Sequence, residues 1–314
     1  MDPNNQTEVK VFILGGLPNT AELPLFFFLL FLVIYLLTIL GNLLILVTIL
    51  LEPQLHGLPM YFFLCNLSFL DICLSSVTVP KILAGFIMLS YRTISFGGCV
   101  IQLYAFHFMA STECFLYTVM AYDRYLAICR PLNYATLMNR RICSGLAAGT
   151  WFTGSFHAAI HTSLTFCLPY CGPNRVDYFF CDIPPVLKLA CADTAVNHTV
   201  TLANIGVVAA GCFGLICISY VYIASAILKI KTTEGRRRAF STCSAHLTLV
   251  LLYFGPPAFI YTHPSSSDST YGTVAVFYTI ITPMLNPFIY TMRNKEVQRA
   301  LRKLSGRHIA SQDR

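Results

Sequence analysis

Met120-Ala121-Tyr122-Asp123-Arg124-Tyr125-Leu126-Ala127-Ile128-Cys129 ends the third of seven long apolar stretches in this 314-residue chain. An Asp-Arg pair at the inner end of a membrane helix is costly to place and seldom lacks a task. The triplet Asp123-Arg124-Tyr125 falls where hydrocarbon would give way to cytosol, and a loop carrying Arg130, Arg140 and Arg141 follows. A charged inner surface of this kind suits contact with a cytosolic partner.

Composition agrees with a membrane setting. Apolar residues make up 56% and charged ones 11%, about half the charged share of a typical soluble domain. A helix crossing the hydrocarbon core needs roughly 20 apolar residues. Candidate spans lie at 24–50, 59–88, 98–129, 142–168, 198–229, 239–262 and 272–292. The expected fold is an all-α seven-helix transmembrane bundle. An outer N-terminal segment (1–23) precedes the bundle (24–292), and a cytoplasmic tail (293–314) follows.

Lys and Arg set the orientation. With the N-terminus outside, 16 of the 21 fall on the cytoplasmic side. The net charge of +7 then belongs to an inner face meeting anionic lipid or a protein, and nucleic acid is not an expected partner. No cleavable signal peptide is expected: the first residues are polar and include Asn5-Gln6-Thr7, a glycosylation acceptor outside the cell. Asn66-Leu67-Ser68 also fits that pattern but lies within the second span, and Asn197-His198-Thr199 sits at the membrane edge. In the tail, apolar Val297, Ala300, Leu301 and Leu304 have the spacing of an amphipathic helix lying on the inner leaflet.

Of thirteen cysteines, Cys99, Cys171, Cys181 and Cys191 cluster at the outer face, where oxidation is expected. Four cysteines allow three pairings, and their positions alone do not choose. The remaining nine read as small apolar packing residues. No HExxH, GxSxG or phosphate-cradling glycine loop occurs, so an enzyme is not expected. No internal repeat supports a transporter, which remains the rival from another class.

Several short motifs agree in order and spacing. They are Gly41-Asn42, Pro59-Met60-Tyr61-Phe62-Phe63-Leu64, Asn66-Leu67-Ser68-Phe69-Leu70-Asp71, Trp151, Ala239-Phe240-Ser241-Thr242-Cys243-Ser244-Ala245-His246-Leu247 and Pro283-Met284-Leu285-Asn286-Pro287-Phe288-Ile289-Tyr290. With the Asp123-Arg124-Tyr125 triplet, the set resembles the rhodopsin-like G-protein-coupled receptors and, within them, the tetrapod-type vertebrate olfactory receptors. The resemblance implies the pairings Cys99–Cys181 and Cys171–Cys191. It implies a small neutral odorant as ligand and a stimulatory G protein that raises cAMP as partner. It also implies the plasma membrane of olfactory sensory cilia as location, with a trafficking chaperone as a candidate further partner. A receptor for a lipid or other hydrophobic ligand is the alternative within the same superfamily.

Two departures from the family pattern stand out. Leu55-His56-Gly57-Leu58-Pro59-Met60-Tyr61 is one residue longer than the family's usual form. Tyr253-Phe254-Gly255 replaces Phe-Tyr-Gly, which removes a phenol at Phe254; the Pro256-Pro257 pair after it should kink the sixth helix.

Three sites follow. At the inner end, Arg124 carries five donors and a fixed charge; Asp123 would neutralise it at rest, with Tyr125 beside it. Tyr220 and Tyr290 are candidates to meet it on activation. Within the spans, Asp71 and Glu113 must be protonated, hydrogen-bonded or matched by a cation. With Asn42 and Asn286 they form a candidate sodium site of oxygen ligands, the other reading being protonated acids bonding between helices. Toward the outside, the third span has no carboxylate at Phe106-His107-Phe108-Met109-Ala110-Ser111, and the seventh has no Lys. A neutral, mainly apolar ligand is therefore expected. By resemblance its lining is Phe106, His107, Ala110, Ser111, Phe254, Pro257, Tyr261 and Thr279, with His107 the most polar member.

Overall fold

The computed structural model of the chain describes residues 9–17, 23–262, 268–294 and 296–303. Seven helical rods run through them. They are α1 (Pro24–Leu51), α2 (Pro59–Ile87), α3 (Phe96–Cys129), α4 (Arg140–Phe166), α5 (Ala195–Leu228) and α6 (Thr233–Thr262), and a composite α7. The last joins Asp268–Val276 through a π-helical turn, Phe277–Ile281, to Thr282–Arg293. Residues 296–303 form a further helix, α8.

Local chemistry sets the helix ends. Pro24 and Pro59 start α1 and α2, where a fixed φ and a missing N–H cost nothing. Ser95 and Asn139 cap α3 and α4 by accepting from Gly98 N–H and Ile142 N–H, as short polar side chains do at N-caps. The loop after α1 holds a one-turn helix, Pro53–His56, closed at Gly57 before Pro59 starts α2. The α6 helix begins at Thr233, ahead of its apolar run, and continues through Pro256 and Pro257 to Thr262.

Five rods are long and apolar enough to cross a membrane on length and composition. Among the described residues α4 and α6 fall short of that measure. Polar residues inside α4 (Thr150, His157, His161, Ser163) and a cationic start to α6 (Arg236, Arg237) lower their mean hydropathy. Helix packing in membranes explains α4: without a hydrophobic drive between helices, small and polar residues make the contact. A Cβ added at Gly154 would lie 2.9 Å from Thr112 N and 3.0 Å from its Cα, so the backbones of α3 and α4 touch there. Trp151 Nε1 donates across to Asn66 Oδ1 at 3.0 Å, which binds α4 to α2 and keeps Asn66 inside the bundle.

Polarity is inverted relative to a soluble protein. Leu36, Leu40, Leu44, Val207, Leu215, Ile218 and Val221 are exposed, whereas Asn42, Asp71, Ser75, Thr78, Glu113 and Asn286 are buried. With the Asp123 end of the bundle labelled inner and the opposite end outer, the apolar interior holds an inner cluster around Tyr61, Leu67, Tyr117 and Tyr290, an outer one around Phe12, Leu103, Tyr170 and Phe180, and a small third one of Ile223, Ile227 and Cys243. Val297 and Ala300 of α8 belong to the inner cluster. Lys303 Nζ lies 2.8 Å from Glu52 Oε1, fastening α8 to the end of α1.

A small sheet covers the outer end. The strand β1 (Val11–Leu14) lies between β2 (Thr93–Ser95), antiparallel to it, and β3 (Arg175–Val176), parallel to it. Phe12 is fully buried, with the rings of Phe96 and Tyr170 each centred 5.8 Å away. Both expected disulfides are present, Cys99–Cys181 and Cys171–Cys191. They tie the start of α3 to the loop between α4 and α5 and close that loop on itself. Burial among these rings pushes the Tyr170 phenol above its ordinary range. Asn5 lies outside the described residues, as do the side chains of Pro257 and Tyr261.

Candidate functional site

At the inner end of α3 the sequence places acid and base side by side, and the structure bonds them. Arg124 Nε donates to Asp123 Oδ2 at 3.0 Å, and Nη2 reaches the same oxygen. Asp123 is 1% exposed, so its second oxygen also needs a donor. Tyr134 supplies it, donating to Oδ1 at 2.7 Å from a one-turn helix, Tyr134–Leu137, in the second inner loop. Burial and the neighbouring carboxylate hold the Tyr134 phenol well above its ordinary range, so it stays a donor at any physiological pH. Sequence reasoning missed Tyr134; the signal was a tyrosine a few residues past the triplet, behind Pro131.

The other inner tyrosines are engaged elsewhere. Tyr220 of α5 lies 2.7 Å from His246 Nδ1 and donates to the Cys243 carbonyl at 3.3 Å, both on α6. Tyr290 is fully buried and its hydroxyl has no partner among the described residues. Tyr125 stacks with Tyr122 and faces Tyr222 of α5. No hydrogen bond joins Arg124 to Tyr220 or Tyr290 in this arrangement. His246, a second residue that sequence reasoning did not single out, fixes Tyr220.

Midway through the bundle, Asn286 of α7 donates to both oxygens of Asp71, at 2.9 and 2.8 Å. Its amide also lies 3.4 Å from the Tyr117 hydroxyl, which donates to Glu113 Oε1 at 3.0 Å. Two acids on α2 and α3 are thereby joined through one amide and one phenol. Asn42 does not join them: it donates to the Thr38 and Pro283 carbonyls and links α1 to α7. Among the described residues no three His, Cys, Asp or Glu converge as a metal cage. The buried oxygens Ser75 Oγ, one turn along α2 from Asp71, and Asn286 Oδ1 have no partner among the described residues; oxygens of this kind suit a hard cation.

The expected ligand residues on α3 meet polar neighbours. His107 Nε2 lies 3.1 Å from Asp182 Oδ1 in the outer loop, and Ser111 Oγ lies 2.8 Å from His157 Nδ1 on α4. Phe106 is buried against Phe180, ring centres 4.6 Å apart. Ala110 offers its carbonyl to the Tyr253 hydroxyl of α6 at 2.6 Å. Phe254 is buried beside Phe213 of α5. Thr279 is buried in the π-helical turn and bonds its own helix at the Ala275 carbonyl. Sequence reasoning did not include Tyr253, Asp182, His157 or His161. His161 is fully buried and meets Asn204 Oδ1 at 3.1 Å, with the ring of His157 centred 4.5 Å away. A spacing of four along α4 was the legible signal for that pair. A small cleft with room for about 20 Å³ at the outer face involves none of the expected ligand residues; Lys81, Arg92 and Phe179 are among its walls.

Comparison with known proteins identifies the family. The profile of the family described as Olfactory receptor matches residues 31–307. A human protein named Olfactory receptor 10S1 is 63% identical over 300 residues, spanning 96% of this chain and 90% of its own length. Human Olfactory receptor 10G6 is 58% identical over 306 residues, with 98% and 92% covered. Human Olfactory receptor 10G7 is 57% identical over 309 residues, with 98% and 99% covered.

Proposed function

This chain belongs to the olfactory receptor family, a multi-pass membrane receptor and not an enzyme, and from that premise we propose its ligand, coupling and topology. The ligand is a small, neutral, mainly apolar odorant held within the helix bundle by shape and one or two hydrogen bonds. Phe106, His107, Ala110, Ser111 and Phe254 line its site, with Pro257, Tyr261 and Thr279 from the outer halves of α6 and α7. Binding shifts the bundle toward a state that engages a stimulatory G protein and raises cAMP.

The observation that carries this reading is the Asp123–Arg124 pair closed by Tyr134. In the resting state the carboxylate neutralises the guanidinium. On activation Arg124 leaves Asp123 and turns toward the G protein, while Tyr220 and Tyr290 rearrange around it. Residues 1–23 are extracellular with Asn5 glycosylated, 24–292 form the seven-span domain, and 293–314 are cytoplasmic. The α8 helix lies along the inner leaflet with its cations toward anionic lipid. Asp71, Glu113 and Asn286 would hold a sodium ion in the resting state, without Asn42, and a trafficking chaperone assists delivery to the plasma membrane of olfactory cilia.

The test is cAMP in cells expressing the chain with a stimulatory G protein, across a panel of neutral odorants. A dose-dependent response that Arg124→Ala abolishes, at matched surface expression, is the expected result. Silence of the wild-type chain at verified surface density would remove the odorant reading.

A further inference from the structure

The proposed ligand lining on α3 has polar neighbours whose hydrogen bonds fix where its protons sit. His107 Nε2 lies 3.1 Å from Asp182 Oδ1. That oxygen also accepts from Ile183 N–H at 2.8 Å, capping the short helix Ile183–Leu187. An oxygen held by a backbone N–H is acting as an acceptor, so the hydrogen toward Asp182 belongs to His107 Nε2. The loop is pinned at this point. Cys181, the residue before Asp182, is bridged to Cys99, and its N–H donates to Gln102 Oε1 at 3.0 Å. The side chain of Asp182 is 5% exposed and that of His107 12%.

An imidazole with one proton carries it on one nitrogen and accepts at the other, and the bond made by the first decides which. With Nε2–H directed at Asp182, His107 Nδ1 is left as a lone pair, and it has no partner among the described residues. The same holds on α4. His161 Nε2 meets the carboxamide oxygen of Asn204 at 3.1 Å, so its Nδ1 is an acceptor too. His161 is fully buried, and that atom has no partner among the described residues. The two rings are centred 6.4 Å apart. Donors in the same region are engaged: Tyr253 donates to the Ala110 carbonyl, and Ser111 and His157 bond each other. A buried acceptor without a donor is costly, and two of them gather here.

We propose that the ligand is a small alcohol, an otherwise apolar molecule that donates its hydroxyl hydrogen to His107 Nδ1, and that Asp182 is the positioning residue that makes this so. The inference rests on the neutral-odorant reading and narrows it. A ketone or an ether of the same shape would set its own lone pairs against that of His107. A site built around one polar group discriminates strongly against analogues that cannot match it. Asp182 acts through His107: it holds the ring's proton on the nitrogen away from the ligand.

The experiment uses the full chain in phosphatidylcholine nanodiscs, with empty discs as the partition control. Ligand-observed saturation-transfer NMR reads direct binding of matched cycloalkanols, cycloalkanones and methoxycycloalkanes over several ring sizes. At the ring size that binds tightest, the alcohol should exceed its ketone and its ether at least about tenfold, a difference of about 1.4 kcal/mol. Asp182→Asn keeps the accepting oxygen and should keep that ratio. Asp182→Ala lets either nitrogen carry the proton and should bring the ratio close to one. Equal binding of alcohol and ketone by the wild-type chain, or a preference for the ketone, overturns the proposal without any variant and leaves the neutral-odorant reading standing. Loss of the ratio in Asp182→Asn assigns the selectivity to the carboxylate's charge and overturns the tautomer argument. A ratio unchanged in Asp182→Ala removes Asp182 from it. Binding of none of the three classes removes the neutral-odorant reading, and this inference falls with it.

Discussion

Asp123 accepts from two elements at once, its own neighbour Arg124 and Tyr134 of the following loop. Hydrogen bonds to charged groups are worth about 1.5–3 kcal/mol. Removing the phenol with Tyr134→Phe therefore loosens the carboxylate's hold on Arg124 without touching either charge. Basal cAMP should rise severalfold at equal surface expression, since about 1.4 kcal/mol moves a two-state equilibrium tenfold. Unchanged basal output would mean that Tyr134 serves the loop's shape alone. The pair itself was legible in the sequence, because Asp and Arg at the end of an apolar run have few innocent explanations. Tyr134 and His246 were not, because a tyrosine in a loop and a histidine in a span acquire meaning only when another helix brings a partner to them. Phe254 shows the converse: the phenol missing there is present one residue earlier, on Tyr253, and is directed at the Ala110 carbonyl.

The contact between α3 and α4 rests on a residue with no side chain. At Gly154 a Cβ would press into the Thr112 backbone, whereas at Gly149 it would meet nothing within 4 Å. Gly154→Leu should force the helices apart and cost on the order of 1–3 kcal/mol, the usual range for overpacking. Gly149→Leu should be neutral, and thermal unfolding midpoints in detergent compare the two. Equal midpoints would show that the backbones are not in contact. Helix positions were legible from apolar runs to within a few residues at most ends, since about 20 residues must span the hydrocarbon. The exceptions have physical causes. The α6 helix starts early because Thr233-Glu234-Gly235-Arg236 can continue it in water beyond the apolar run. The strands β1, β2 and β3 left no trace, being two to four residues long and paired across distant loops.

Taken whole, the molecule is fastened at both faces by contacts far apart in sequence. On the inside, Glu52 is 5% exposed at its side chain and Lys303 43%. An exposed pair would contribute little, but stripping the partner from a buried carboxylate is costly. Lys303→Glu should release α8, seen as faster hydrogen exchange over 296–303. The exchanged pair Glu52→Lys with Lys303→Glu should restore protection; protection unaltered by the single reversal would assign α8's docking to Val297 and Ala300 alone. On the outside, the three-stranded sheet imposes an order of assembly. β1 precedes every helix of the bundle, yet Ile13 pairs in parallel with Arg175 and Leu14 with Val176. Four membrane helices must be made before that partner strand exists. Until then Phe12 can pack on Phe96 but lacks Tyr170, and the edge of β1 away from β2 is open to any extended peptide. This strand thus waits, sticky and half-closed, for the middle of the chain to arrive, and that interval is when a companion protein has most to protect.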